Sequence, residues 1–123
     1  MATLRLLPRD SPQLHRTIDA IRDGLSKDGW LFRYRADDGL GQTEVAFVIC
    51  SFWLVEALVR TGRIDEARSV MSRIGEAISP LGLISEDYDV SGRRMWGNFP
   101  QAYSHVGMIH AAFAASPSWS EVL

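Results

Sequence analysis

The chain has 123 residues, of which 46% are hydrophobic and 23% are charged, and its formal net charge is -2. This length fits one domain, residues 1–123, around a single core. With 13 basic and 15 acidic residues, the chain lacks the positive field expected of a protein that binds nucleic acid or an anionic membrane.

The single cysteine and the short apolar runs indicate in which cellular compartment the protein resides. Cys50 is the only cysteine, so no disulfide can form within the chain. The N-terminal apolar run is too short for a signal peptide. The stretch 45–59 is interrupted by Ser51 and Glu56 and is too short to cross a bilayer. We therefore expect a cytoplasmic protein with no membrane segment.

The first two predicted helices differ in pattern. The first begins at Ser11, an N-cap residue followed by proline at the first helical position. Its apolar residues recur at spacings of three and four, which predicts one buried stripe. The second, residues 44–61, is apolar on nearly every face, so we expect it to be buried all round or to line a site. Between them we expect an extended segment and a turn at Asp38 and Gly39.

The third and fourth predicted helices repeat this alternation. Residues 64–79 carry one apolar stripe and end before Pro80. The last helix begins at Pro100 and ends before Pro117, and it is apolar or small on most faces. Two striped outer helices alternating with two buried inner helices predict an all-α fold, an αα-hairpin array of about four main helices.

Two loops lead into the inner helices. Residues 30–43 and 83–99 are both rich in aromatic side chains, arginine and carboxylates. If the inner helices are parallel neighbours, the two loops gather at one end of the array. Polar ligand groups belong at such a position in a helical scaffold, so the pattern predicts a site there.

Three motifs together carry a resemblance that covers nearly the whole chain. "CSFWL", "SEDYD" and "GNFPQAYSHVG" occur in that order, and the chain resembles the C-terminal part of glycoside hydrolase family 15, which comprises glucoamylases, glucodextranases and bacterial trehalases. The resemblance implies part of an (α/α)6 barrel. It also implies inverting hydrolysis of α-glucosidic bonds in a carbohydrate, with no metal and no cofactor.

The resemblance also implies roles for particular residues. The family's catalytic base falls on Glu86, and Tyr88 and Asp89 complete its motif. Arg35 resembles the sugar-binding arginine, and residues 44–53 match the segment that walls the pocket. In the loop and first turn before the last helix, Trp96 suits stacking on a sugar and its polar neighbours suit a pocket rim. The substrate-binding candidates are Arg35, Glu44, Phe47, Trp53, Tyr88, Trp96, Asn98 and Gln101.

Each candidate also has a purely structural interpretation. Read without the family motif, "SEDYD" is a solvated acidic turn. Glu44 in the first turn of a helix is favoured by the helix dipole alone, and Trp53 fits the core of an apolar helix. Trp96 is equally suited to covering a hydrophobic edge. His105 and His110 are five residues apart, which is not a metal-ligand spacing on one helix face, so no metal site is expected.

The departures from the family lead to further expectations. Nothing in the chain matches the Trp-Glu signature of the general acid, and Val45 follows Glu44 where the family usually has glycine. We therefore expect a truncated catalytic domain that carries the base but not the acid. Its open flanks predict a homo-oligomer, a dimer or a trimer, or else a missing N-terminal barrel segment.

Two non-catalytic interpretations remain open from the residues. One is a sugar-binding remnant that holds a saccharide without cleaving it. The other is a helical-repeat interaction module, because "LVEALVRTGRIDEARSVMSRI" resembles the helix-turn-helix unit of tetratricopeptide repeats. The chain shows no internal repeat at the period of such arrays.

Overall fold

The computed structural model describes residues 5–36 and 45–122. In chain order, the elements are α1 (Pro12–Leu25), β1 (Ser26–Lys27), β2 (Trp30–Leu31), β3 (Val45–Phe47), α2 (Val48–Arg60), α3 (Ile64–Gly75), β4 (Asp87–Asp89), β5 (Arg94–Trp96), α4 (Ala102–Ala115) and α5 (Trp119–Val122). Strands β1 and β2 form an antiparallel hairpin, and β3, β4 and β5 form an antiparallel sheet in that order. The turn predicted at Asp38 and Gly39 lies outside the described residues.

Helix α1 begins where the sequence predicts it. The Ser11 hydroxyl accepts a hydrogen bond from the backbone N–H of Leu14 at 3.5 Å, and Pro12 occupies the start of the helix. Leu14 and Ile18 are buried against the rest of the molecule. The first half of the apolar stripe therefore packs inward as expected, whereas Ile21 in the second half is 42% exposed.

The second helix was predicted too long at its N-terminus. Residues Val45–Phe47 form strand β3 and pair with Asp87–Asp89, so α2 begins at Val48 instead of residue 44. A three-residue strand with apolar side chains looks like one more helical turn in the sequence. Long-range pairing with β4 decides the conformation, because it satisfies backbone groups that the helix would otherwise use.

The other helix boundaries also differ from the prediction. Helix α3 ends at Gly75, and the predicted extension to residue 79 is a series of single turns in which Ala77 and Ile78 donate to Ile74 and Gly75. Helix α4 begins at Ala102, two residues after Pro100. The N–H of Gln101 instead donates to the Ile84 carbonyl at 3.1 Å, so this residue ties the helix start to the preceding loop.

The inner helices α2 and α4 pack closely and run parallel. A Cβ at Gly107 of α4 would overlap the side chain of Ile49 and lie 3.1 Å from the ring of Phe52, so only glycine permits this approach. The N-terminal ends of both helices meet the same short segment, because Val48 N–H donates to Glu86 and Gln101 N–H donates to Ile84. The 83–99 loop thus meets the N-terminal ends of both inner helices, whereas residues 37–43 of the other loop, which was expected to gather at the same end, lie outside the described residues.

The core lies around α2. Phe52, Val55 and Leu58 of this helix are fully buried, and Ala67 and Ile74 of α3 pack into the same cluster. The prediction of a buried second helix is confirmed except along one edge, where Trp53 is 44% exposed.

Helix α4 is not covered on all faces as predicted. It buries its small residues, Ser104, Gly107 and Ala111, toward α2. Its opposite face is apolar and exposed, with Tyr103, Val106, Ile109 and Phe113 between 49% and 75% accessible. An apolar face of this size normally has a partner.

The fold is mainly helical, as predicted, but the expectation of an all-α chain is incomplete. Strand β2 falls within the extended segment expected after the first helix, but the sheet of β3, β4 and β5 is absent from the sequence prediction because strands of three residues carry no readable period. Within residues 5–36 and 45–122, none of the helices has the length and apolarity needed to span a bilayer.

Candidate functional site

The candidate site is built around Glu86, which lies between the inner helices and strand β4. Its backbone carbonyl accepts from Val48 at 3.0 Å, and its N–H donates to the carbonyl of Asn98 at 2.9 Å. The neighbouring Ser85 is fully buried and its hydroxyl donates to the Asp87 carbonyl. Backbone hydrogen bonds to Val48 and to Asn98 therefore fix the position of Glu86 independently of its side-chain contacts.

The carboxylate of Glu86 is held by one residue, Asn98. Oε2 of Glu86 accepts from Nδ2 of Asn98 at 2.7 Å and from the backbone N–H of Asn98 at 3.2 Å. Hydrogen bonds to a charged acceptor are among the stronger ones in proteins. The side chain is half-buried, so its oxygens remain within reach of solvent while their direction is set.

Asp87 faces the same small volume as Glu86. A Cβ at Gly97 would lie 3.0 Å from Oδ2 of Asp87 and 3.1 Å from Oε2 of Glu86. Partial burial and the neighbouring charge of Glu86 raise the pKa of Asp87 to about 6. Gly97 has φ of 73°, a conformation that favours glycine, so both strain and space keep a side chain out of this position.

The strand register sorts these side chains onto two faces of the sheet. Phe47, Asp87 and Trp96 are direct cross-strand partners and therefore share a face. Val45, Asp89 and Arg94 form the adjacent row on that face. The opposite face, with Ala46, Tyr88 and Met95, is turned toward the core, where Ala46 and Tyr88 are buried. The open face thus presents a carboxylate between two aromatic rings.

The second row of the open face stabilises the β4–β5 hairpin. Oδ1 of Asp89 accepts from the Gly92 N–H at 2.7 Å, and Oδ2 pairs with Nε of Arg94 at 3.1 Å. These contacts, the Gly92 N–H foremost, lower the pKa of Asp89. The Arg94 guanidinium in turn lies 4.7 Å from the centroid of the Trp96 ring. Asp89 is therefore fully engaged within the protein, and Arg94 covers one side of Trp96.

A group of aromatic residues continues the open face toward the inner helices. The ring of Tyr103, in the first turn of α4, lies 6.5 Å from Phe47 and 6.1 Å from Trp53, edge-on to the tryptophan. The guanidinium of Arg33 lies 5.8 Å from the Phe47 ring. Phe47 and Trp53, both predicted as substrate-binding, are thus brought together, and Tyr103 joins them.

Trp96, Asn98 and Gln101 lie along the loop that leads into α4. Trp96 is 51% exposed on the sheet's open face, and Asn98 contacts Glu86 directly. Oε1 of Gln101 accepts from the buried hydroxyl of Ser104 at 2.7 Å, which fixes the amide at the start of α4. The structure therefore places all three beside the segment 84–87.

Tyr88, Arg35 and Glu44 are placed differently. Tyr88 is buried and stacks on Trp30 with 4.2 Å between ring centroids, on the face of the sheet turned away from Asp87. The Arg35 guanidinium lies 5.7 Å from the Phe32 ring, and no ion pair joins it to Glu86 in the part of the chain that the structure describes. Glu44 lies outside the described residues.

The sequence analysis missed Asp87, Gly97 and Tyr103 as parts of this arrangement. Asp87 occupies the variable position of its motif, and only the cross-strand register shows its neighbours. Gly97 follows Trp96 in a loop, where a glycine by itself does not indicate a site. Tyr103 was expected to be buried with the rest of the last inner helix. Among the described residues, no group of three or more His, Cys, Asp or Glu side chains has a metal-binding arrangement.

The comparison with known families identifies the family of the chain. The sequence model of glycosyl hydrolases family 15 matches residues 1–113. The chain belongs to this family. Glu86 lies in the segment on which the family resemblance rests, and the structure holds its carboxylate against Asn98, next to Gly97 and Asp87.

Several curated proteins are similar over most of the chain. The trehalase of Mycolicibacterium smegmatis is 46% identical over 110 residues, which are 87% of this chain and 16% of that protein. The trehalase of Mycobacterium tuberculosis is 44% identical over the same shares. That of Thermoplasma volcanium is 40% identical over 89% of this chain and 18% of its own length. The chain thus spans less than a fifth of these relatives. No solved structure matches it.

Proposed function

We propose that this chain forms, as one domain, the base-bearing portion of an inverting glycosidase active site, with Glu86 as the general base. The observation that carries the proposal is the double contact of Asn98 with one oxygen of Glu86, at 2.7 Å and 3.2 Å. Because Asn98 binds Oε2 and no other described residue donates to the carboxylate, the second oxygen is open to a water molecule within the part of the chain that the structure describes. A base must be oriented in this way before it can remove a proton from a defined direction.

The proposed reaction uses water as the nucleophile. The Glu86 carboxylate accepts a proton from water as the water oxygen bonds to the anomeric carbon, and the bond from that carbon to the leaving oxygen breaks. A general acid on the opposite side of the sugar gives a proton to the leaving oxygen. The two carboxyl groups of inverting enzymes stand roughly 6.5–9.5 Å apart so that water fits between base and sugar.

We propose that the general acid comes from polypeptide outside this chain. Asp87 is a poor candidate for the acid because it faces the same volume beside Gly97 as Glu86 does. An acid in that place would protonate from the side of the base, whereas inversion needs it across the sugar. This position suits a role in holding the sugar better than a role in protonating the leaving group.

The exposed apolar face of α4 supports a larger assembly. Val106, Ile109 and Phe113 would be covered by further helices of an (α/α)6 barrel, whereas Tyr103, at the start of this face, lies beside Phe47 and Trp53. The relatives are about five or six times longer than the matched region, since it spans 16% to 18% of their length. We therefore propose the rest of the barrel as the partner. A homo-oligomer of this chain, a dimer or a trimer, is the alternative covering.

Trehalose is the proposed first substrate. The relatives that match this chain at 40% to 46% identity are named trehalases, and the family resemblance implies α-glucosidic bonds more broadly. Phe47, Trp53 and Tyr103 form an aromatic group that suits the apolar C–H face of a glucose unit. The neighbouring carboxylate of Asp87, the cross-strand partner of Phe47, would accept hydrogen bonds from the hydroxyl groups of that unit.

A chimera tests the proposal. The matching 110 residues of the Mycolicibacterium smegmatis trehalase are replaced with this chain, and glucose release from trehalose is measured. We expect a folded, active chimera. A chimera that folds like the parent but releases no glucose would contradict the catalytic proposal. Retained trehalose binding in that chimera would favour the sugar-binding remnant.

A further inference from the structure

We propose that Asp87 is a specificity-determining residue, whose carboxylate accepts a hydrogen bond from one hydroxyl group of the sugar held beside Glu86. The inference rests on the proposed function, because it assumes that a neutral sugar occupies this site. It adds a polar contact at the variable position of the "SEDYD" motif, between the motif residues Glu86 and Tyr88.

The position of Asp87 in the sheet supports this role. It is the central member of the cross-strand row Phe47–Asp87–Trp96 on the open face. Trp96 is 51% exposed and Phe47 is half-buried. Aromatic rings bind the C–H surfaces of a sugar, and a carboxylate accepts hydrogen bonds from its hydroxyl groups. The row contains both kinds of group on three neighbouring strands.

Among the described residues, Asp87 is the carboxylate of this site that makes no hydrogen bond or ion pair. Glu86 accepts from Asn98, and Asp89 accepts from Gly92 and Arg94. Within residues 5–36 and 45–122, the side chain of Asp87 makes no hydrogen bond and no ion pair. A half-buried carboxylate that makes neither a hydrogen bond nor an ion pair destabilises the fold. A hydroxyl group of a ligand could donate to it without displacing a protein donor.

Gly97 keeps the approach to Asp87 open. Any side chain at this position would meet Oδ2 of Asp87 at 3.0 Å and Oε2 of Glu86 at 3.1 Å, and would fill the space in front of both carboxylates. The positive φ of Gly97 further favours glycine there. The backbone thus leaves room for one polar group of a ligand to reach the carboxylate of Asp87.

The electrostatics of the site agree with this arrangement. Burial and the charge of Glu86 oppose ionisation of Asp87 and raise its pKa to about 6. A hydroxyl donor favours the ionised form of a carboxyl group, so a bound sugar would offset part of that penalty. Glu86, already tied to Asn98 through Oε2, would keep its remaining oxygen for water.

The test is sugar binding by the full chain, followed by NMR titration of its backbone amides. The ligands are methyl α-glucoside and its 2-, 3-, 4- and 6-deoxy analogues. With the wild-type chain, we expect one analogue to bind about tenfold more weakly than the parent sugar, which is the typical cost of losing a hydrogen bond to a charged group. Asp87→Asn should bind the parent sugar about tenfold more weakly and no longer distinguish that analogue.

Two further variants make the result specific. Asp65→Asn changes an exposed aspartate of α3 to asparagine, and it should bind every analogue as the wild type does. Glu86→Gln should still distinguish the same deoxy analogue, because a different carboxylate reads that hydroxyl.

Each contrary outcome has a distinct meaning. Equal binding and equal discrimination by Asp87→Asn and the wild type would overturn the role of Asp87 and leave the proposed function intact. A wild type that binds the parent sugar but discriminates against none of the analogues would overturn it as well, even if Asp87→Asn fails to fold. A wild type that binds none of the sugars would overturn both the inference and the sugar site on which it rests, whereas the chimera tests hydrolysis separately.

Discussion

The side chain and the backbone N–H of Asn98 both donate to the same oxygen of Glu86, at 2.7 Å and 3.2 Å. The Glu86 N–H returns a hydrogen bond to the carbonyl of Asn98 at 2.9 Å. The two residues, twelve positions apart, are thus joined by three hydrogen bonds. This pairing links the segment before β4 to the loop before α4, and it orients the proposed base.

Removing the Asn98 side chain should affect turnover more than substrate binding. In the chimera, we expect Asn98→Ala to lower kcat about tenfold, since the loss of one hydrogen bond to a charged group costs about 1.4 kcal/mol or more. KM for trehalose should change less, because the carboxylate direction matters most in the transition state. Steady-state glucose release measures both. An unchanged kcat would show that Asn98 does not orient the base.

Gly97 and Gly24 should respond oppositely to alanine. Gly97→Ala forces a side chain into positive φ and against two carboxylates, so the free energy of unfolding should fall by about 1–2 kcal/mol. Gly24 lies within α1 with open space around its Cβ position. Gly24→Ala should raise the free energy of unfolding by up to about 1 kcal/mol. Urea unfolding of both variants measures these changes. An unchanged free energy of unfolding for Gly97→Ala would contradict the described geometry.

Ionisation of Asp87 should destabilise the fold. Its pKa is raised from 3.8 to about 6, so the folded state binds more protons than the unfolded state between these values. Stability therefore falls as pH rises through this window. Relative to Asp87→Asn, the wild type should lose about 1–2 kcal/mol between pH 4 and pH 7, which is less than the full pKa shift implies because the half-buried group is screened by solvent.

Urea unfolding of the two proteins at several pH values measures that difference. Asp65→Asn, at an exposed aspartate of α3, is measured over the same range as a control for removing one surface carboxylate. A wild type that gains stability relative to Asp87→Asn as pH rises would reverse the sign and contradict the placement of Asp87.

Gly107 should be essential for the parallel packing of the inner helices. Gly107→Ala places a methyl group in contact with Ile49 and Phe52 at distances that core atoms do not tolerate. We expect the free energy of unfolding to fall by about 1–3 kcal/mol, the usual cost of overpacking. Ala112→Gly, in a half-buried position of the same helix, is a control that should cost only about 1 kcal/mol through helix propensity. A fully stable Gly107→Ala would argue against the close approach of α2 and α4.

The helical part of the fold was predictable because its signals are local. Ser11 and Pro12 fix the start of α1, and the apolar periods distinguish α1 from α2 within a few turns. The contact of the 83–99 loop with the N-terminal ends of both inner helices agrees with the expectation for parallel neighbouring helices. The three-residue strand β3 was not predictable, because its pairing partner lies about forty residues later in the chain.

The site was predictable only where a motif marked it. Glu86 and Trp96 were singled out from the sequence, and the structure places both beside β4 and β5. Tyr88 illustrates the limit, since its ring stacks on Trp30 on the core side of the sheet. Alternation along a strand sends neighbours to opposite faces, so Asp87, and not Tyr88, reaches the open face. Only the register of strands β3, β4 and β5 shows that Asp87 lies on the open face.

The most direct test of the proposed function is the effect of one carboxylate on hydrolysis in the chimera. Glu86→Gln keeps the size of the side chain and its contact with Asn98 but removes the base, and we predict a loss of trehalose hydrolysis of at least a hundredfold. Glu76→Gln, at the exposed glutamate that pairs with Arg73, should retain the activity of the unsubstituted chimera. Equal rates of glucose release from the Glu86→Gln and Glu76→Gln chimeras would contradict the role of Glu86 as the general base.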